Sequence, residues 1–259
     1  MSLFNAGHLA RMPGLVAGLA VVTIGLLPSW FGHAAQARSP LVETRQTGPG
    51  ADNMTAPLYE PRVHGLPKAR IEGGTRGAER HGPVVLPLVP DHVGLTIAGQ
   101  PVLYWYLSEP TAAPVMFVLV DTRSIQVIHE VTLAPPPQAG VQVVRLKDFG
   151  VKLEPNVLYR WYLTVVQDLN VPSHDIVSGG MIERIRPDFN VPDAAAPDNV
   201  DIVRYYAEEG LWYDALASIS DLIYASPGNL LLRKQRASLL RQVGLQEVAE
   251  WDLRQVPTD

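Results

Sequence analysis

The chain has 259 residues, of which 47% are hydrophobic and 18% charged, with 21 Gly, 23 Pro, no Cys and a formal net charge of -5. Without cysteine there is no disulfide framework, thiolate metal or iron–sulfur site, cysteine nucleophile or lipidated cysteine. The mild acidity argues against nucleic acid as a partner, because binding phosphates needs clustered Lys and Arg.

Arg11 is the only full charge in the first 37 residues, and an apolar run over 14–27 follows it, ended by Pro28. Ala35-Gln36-Ala37 then has the small-x-small pattern a signal peptidase reads. Residues 1–37 are therefore expected to be a signal peptide cut after Ala37, which places the protein in the periplasm or outside the cell. The apolar run is shorter than the ~20 residues that span a bilayer. A membrane role follows only if the segment is retained as an anchor.

Residues 38–82 are rich in Gly, Pro, Thr, Glu and Arg and show no apolar period. Such a stretch buries too little apolar surface to offset its ordering entropy and is expected to be a flexible linker, with one short ordered piece at Leu58-Tyr59. Its Gly73-Gly74-Thr75-Arg76-Gly77 run lacks the Lys-Ser/Thr ending of a phosphate loop.

Over 83–190 the period becomes two. Ile125, Val127, His129, Val131 and Leu133 point one way while Gln126, Glu130 and Thr132 point the other, which predicts a half-buried strand. Further β-rich runs cover 84–89, 93–97, 102–107, 115–120, 141–146, 158–166 and 176–185, separated by Pro-rich or Gly-rich turns. That pattern predicts an antiparallel, immunoglobulin-like β-sandwich. With no helical pattern between the runs, parallel pairing is not expected. Ser178-Gly179-Gly180 reads as a bulge or bend in the last strand.

After a linker at 191–197, residues 198–256 read as helices. Their only proline, Pro227, sits in the turn signal Ser226-Pro227-Gly228-Asn229, and Asp198 and Asp201 suit the first turn of a helix. Tyr206, Gly210, Ala215 and Ile219 recur as Leu240, Gly244, Ala249 and Leu253, each 34 residues on. This is the period of a tetratricopeptide repeat, and Gly210, Trp212, Ala215, Leu222 and Pro227 fit its consensus. Two such repeats leave apolar faces that need a neighbour. The expected fold is therefore α+β, an antiparallel sandwich with a tetratricopeptide-like helical hairpin packed on it.

The order of motifs carries a resemblance. The exported leader, Gly94-Leu95-Thr96-Ile97 with Tyr104-Trp105-Tyr106, Leu158-Tyr159-Arg160-Trp161-Tyr162, Gly210-Leu211-Trp212-Tyr213-Asp214-Ala215-Leu216 and Val243-Gly244-Leu245 together resemble the bacterial family catalogued as domain of unknown function 928. The resemblance covers about 83–254. It implies an exported bacterial protein with no assigned activity and brings no catalytic residues.

No enzyme chemistry is expected. The histidines show no ligand spacing on a helix, so neither a metal nor another cofactor is expected. Ser178 lacks a nucleophile elbow, and nothing places two of Asp121, Glu130 and Glu183 at glycosidase separation.

Two binding readings stay open. The resemblance to tetratricopeptide repeats implies groove positions that include Arg204, Lys234, Ser238 and Arg241, a basic strip suited to a carboxylate or acidic peptide, with an ordinary solvated helix face as the plainer reading. On the strands, Tyr104, Tyr106, Arg160 and Tyr162 form a candidate aromatic platform for a sugar or extended peptide. The plainer reading there is a face covered by the helices. The expected function is thus a non-enzymatic interaction or assembly module of the cell envelope with a protein or peptide partner. A carbohydrate-binding or carbohydrate-active protein is the alternative, and self-association through a sheet edge near 115–120 is a third possibility.

Overall fold

The computed structural model describes residues 56–62, 69–73, 82–167, 174–188 and 200–255, all within one compact unit spanning 51–259. The expected signal peptide, the 191–197 linker and the Asp198 cap lie outside the described residues.

The β-rich runs form β1 (Val85–Pro87), β2 (Gly94–Thr96), β3 (Val102–Leu107), β4 (Val115–Asp121), β5 (Gln126–Leu133), β6 (Gly140–Arg145), β7 (Leu158–Val165) and β8 (Ile176–Arg184). They assemble into a three-stranded sheet of order β1-β3-β6 and a five-stranded sheet of order β2-β8-β7-β4-β5. The alternating Val, Leu, Phe and Trp residues explain the packing. On the five-stranded sheet Phe117, Leu119, Trp161, Leu163 and Ile182 are fully buried on one face, while their neighbours Met116, Val118, Arg160 and Tyr162 are half-buried on the other.

Four strand-level expectations need correction. Pairing is not wholly antiparallel: β2 runs parallel to β8, with Gly94 opposite Ile182 and Thr96 opposite Arg184. A period of two reports which face is buried and carries no information about the direction of a neighbour. The 178–180 segment is no bulge, since Ser178, Gly179 and Gly180 pair in unbroken register with Leu163, Tyr162 and Trp161. Glycine is needed there for close approach, as a Cβ at 179 would lie 2.3 Å from the Trp161 carbonyl oxygen. Finally, the edge strands of the five-stranded sheet are β2 and β5. The 115–120 run is β4, internal between β5 and β7. A bulge at Ile128 in β5, where Leu119 faces His129 but Val120 faces Val127, breaks the predicted alternation, and Val127 is exposed.

The C-terminal segment forms four helices, two hairpins in place of one: α1 (Val200–Glu208), α2 (Trp212–Ala225), α3 (Leu230–Gln242) and α4 (Gln246–Leu253). Each packs on the next in sequence. The 34-residue recurrence is visible in the backbone. Leu211 N–H donates to the Tyr206 carbonyl and Gly210 N–H to that of Ala207, and 34 positions on Leu245 donates to Leu240 and Gly244 to Arg241. Both ends are Schellman motifs closed by a left-handed glycine, with φ 69° at Gly210 and 78° at Gly244.

The first turn of α2 locks the helices to the sheets. Trp212 Nε1 donates to the Leu88 carbonyl at 2.8 Å, and Trp161 Nε1 donates to the Tyr213 hydroxyl at 2.9 Å, which itself donates to the Met181 carbonyl. Asp214 accepts the Ile97 N–H at 3.1 Å. Between the helices, Asp252 is fully buried and accepts from Arg233 and Arg236 at 2.6–2.9 Å.

Candidate functional site

The residues expected to form a flexible linker over 38–82 include two segments that dock on the helices and sheets. Buried apolar surface and satisfied main-chain groups hold them, a tertiary gain invisible to local composition.

The first segment, an arm at 57–62, crosses the C-terminal ends of α1 and α3. A helix leaves its last carbonyls without intrahelical donors and carries partial negative charge there. The arm meets both needs: Glu60 N–H donates to the Ala207 carbonyl at 3.1 Å, and Arg62 pairs with Glu209. At α3, the Gln242 side chain grips the arm on both sides of Leu58. Its Oε1 accepts Tyr59 N–H at 2.8 Å and its Nε2 donates to the Pro57 carbonyl at 2.9 Å.

Tyr59 is the arm's anchor, 8% exposed, stacked on His92 at 5.7 Å and edge-on to Trp212 at 5.0 Å. Its hydroxyl lies 2.9 Å from His92 Nε2. Burial lifts the phenol well above its ordinary range, so it stays neutral. The short ordered piece expected at Leu58-Tyr59 is thus present, with Tyr59 buried and Leu58 exposed.

The second segment, 69–73, treats the second repeat in the same way. Arg70 Nη1 donates to the Val243 carbonyl at 2.7 Å and the Val89 carbonyl at 3.1 Å, while its other nitrogens pair with Glu72 and Asp91. Val243 stands 34 positions after Glu209, so each repeat receives an arginine at the same place. Ile71 and Gly73 then bridge to Gly179 and Val85 in the sheets. Beside this contact an open cavity of about 450 Å³ is lined by Glu72, Gly73, Val84, Leu86, Gly244 and Glu247, among others.

The predicted basic strip is only partly brought together. Lys234, Ser238 and Arg241 follow one face of α3 at i, i+4 and i+7, with Lys234 and Arg241 exposed. Ser238 contributes its carbonyl, which accepts from Gln242 Nε2 at 3.2 Å. Arg204 sits on α1, paired with Asp201 at 3.3 Å. Gln242, which carries most of the arm's polar contacts, escaped sequence reasoning; its place as the last residue of α3 beside Arg241 was the available signal.

The aromatic platform does not exist as one surface. Tyr104 and Tyr106 are 5% and 4% exposed, with Trp251 of α4 edge-on to Tyr106 and α2 packed against β3. Burial, then Asp221, pushes the Tyr104 phenol up to about 12. Arg160 and Tyr162 lie on the other sheet, on its face opposite the buried Trp161, where Arg160 reaches the Met181 sulfur at 3.0 Å.

The carboxylates are dispersed as well. Asp121 caps its own hairpin turn through the Arg123 and Ser124 amides, which hold it below the usual carboxylate range. β7 separates it from Glu183, about 10 Å away by strand spacing, and the two occupy opposite faces. Ser178 is buried within β8. Among the described residues no group of three His, Cys, Asp or Glu could hold a metal ion, and no helix is long and apolar enough to cross a membrane.

Fold and site define an α+β protein in which two sheets, one of them mixed, carry a duplicated helical hairpin whose turns are held by an N-terminal arm. The chain belongs to the family described as Domain of Unknown Function (DUF928), whose model matches residues 71–253. No curated protein matches it. Among solved structures it is similar to a DUF3244 family protein with an immunoglobulin-like β-sandwich fold from Bacteroides vulgatus, at 16% identity over 31% of this chain and 74% of that one, with a TM-score of 0.22. A multi-domain immunophilin from Arabidopsis thaliana matches at 7% identity over 73% of this chain and 98% of that one, with a TM-score of 0.16.

Proposed function

We propose that the chain is an exported, non-enzymatic protein-interaction or assembly module of the bacterial cell envelope, built as an immunoglobulin-like sandwich with tetratricopeptide-like repeats that bind a protein or peptide partner. The observation that carries this reading is the arm. The repeat surface holds an extended segment at its helix ends through main-chain hydrogen bonds and one buried aromatic side chain, contacts that an extended peptide offers. The apolar stretch at 14–27 followed by Ala35-Gln36-Ala37 supports export. The carbohydrate alternative loses its main support because Tyr104 and Tyr106 are covered.

The test is affinity capture from the host's envelope extract with the chain lacking residues 1–37, with and without charge reversal at Arg204 and Arg241. A discrete protein partner lost with the reversal is expected. The melting temperature should hardly move, because the Arg204–Asp201 pair is exposed on the Asp201 side and such pairs contribute only ~0–1 kcal/mol. Capture that persists in the double variant removes the basic strip from the binding surface.

A further inference from the structure

We infer that the C-terminal ends of α1 and α3, with His92 and Trp212, form a peptide-binding site that this chain fills with its own residues 57–62, and that its external partner is an extended protein segment presenting a tyrosine. The inference rests on the interaction-module reading and names the partner's chemistry.

The arm is held as a bound peptide is held. An extended peptide docked on a surface is read through its main chain and anchored by a few side chains. Here Gln242 reads the main chain at Pro57 and Tyr59, and Ala207 reads it at Glu60. Leu58, between the two Gln242 contacts, is 57% exposed and unread. Glu60, Pro61 and Arg62 are exposed too, leaving Pro57 and Tyr59 as the buried residues of the arm and Tyr59 as its one buried aromatic anchor. Its slot combines two aromatic surfaces with a polar end, the His92 Nε2 at 2.9 Å from the hydroxyl. A slot of that kind favours tyrosine over phenylalanine, since the tyrosine hydroxyl adds a hydrogen bond to His92 that phenylalanine cannot make. Glu209 pairs Arg62 three residues on, so a cation at that position in a partner adds to recognition. The left-handed turn at Gly210 makes room for the segment, because a Cβ there would stand 2.6 Å from the Glu60 carbonyl oxygen.

The test uses the full chain carrying Tyr59→Ala, which removes the anchor from the arm and leaves the slot intact. The probe is a fluorescein-labelled synthetic peptide of residues 56–62, followed by anisotropy. Saturable binding to the variant is expected. Wild-type chain should bind it about tenfold or more weakly, because its own arm competes at high effective concentration. Adding Gln242→Ala, or replacing tyrosine in the probe by alanine, should abolish binding. A folded variant that binds no probe overturns the inference, as does equal binding by wild type. Stable association of the variant with wild-type chains overturns the external partner and makes the occupant a second copy. Failure of both Tyr59→Ala and the milder Glu60→Pro to fold also overturns it, since the arm is then part of the core. The readout involves neither Arg204 nor an envelope extract, so its failure is separable from failure of the capture experiment.

Discussion

Asp214 makes stability depend on pH in the direction opposite to that of most carboxylates. It sits in the first turn of α2, buried against the end of β2, and removal from water lifts its carboxyl to about 6 from an ordinary 3.8. The Ile97 N–H, the Thr96 side chain and nearby amides pull the other way without cancelling that cost. Because the folded value lies above the unfolded one, the folded chain binds more protons between about 4 and 6. The stabilisation is therefore complete below pH 3.8 and is lost as pH rises through about 6. The gap corresponds to roughly 3 kcal/mol, an order-of-magnitude figure for a buried group. Urea unfolding at intervals from pH 4 to 8, on wild type and Asp214→Asn, isolates it. The amide mimics the protonated acid, so the wild-type minus variant difference should change by about 3 kcal/mol across the window, with the wild type losing ground as pH rises. Parallel curves for the two chains would refute the assignment.

Other perturbations address the repeats and the hairpin. Asp252→Ala strands the Arg233 and Arg236 guanidinium groups in the helical core and should cost about 3–5 kcal/mol in urea unfolding; a loss below about 1 kcal/mol would contradict the geometry. Gly210→Ala and Gly244→Ala both place a Cβ on a left-handed turn, at about 1–2 kcal/mol each. Only the first collides with the arm, since the nearest atom at Gly244 is 3.6 Å away. Hydrogen exchange at the Glu60 amide should therefore accelerate in Gly210→Ala and stay at the wild-type rate in Gly244→Ala. Ile125 is a β-branched residue at φ 55° and 84% exposed, so Ile125→Asn should raise stability by about 0.5–1 kcal/mol, measured by thermal unfolding, and a drop would show that the side chain is needed there.

Much of the fold was legible locally. The β-rich runs at 102–107 and 158–166 marked β3 and β7, and the 34-residue recurrence marked paired helix ends that repeat to the level of individual hydrogen bonds. The faces of β3 were not legible: Tyr104, Trp105 and Tyr106 are all apolar enough to be buried, and only the arrival of α2 and α4 covered the face that carries Tyr104 and Tyr106. The basic strip was identified by repeat position, yet the residue that grips the arm was its unremarked neighbour Gln242.

Local sequence by itself determined where strands and helices form, because period, proline placement and glycine turns act through neighbours a few residues apart. Tertiary structure alone decided the parallel β2–β8 pairing and the docking of the arm. A main-chain group carries no mark of its partner's identity, and Tyr59 meets Gln242 across 183 positions of chain, where only the assembled surface supplies the buried area and the donors that order it.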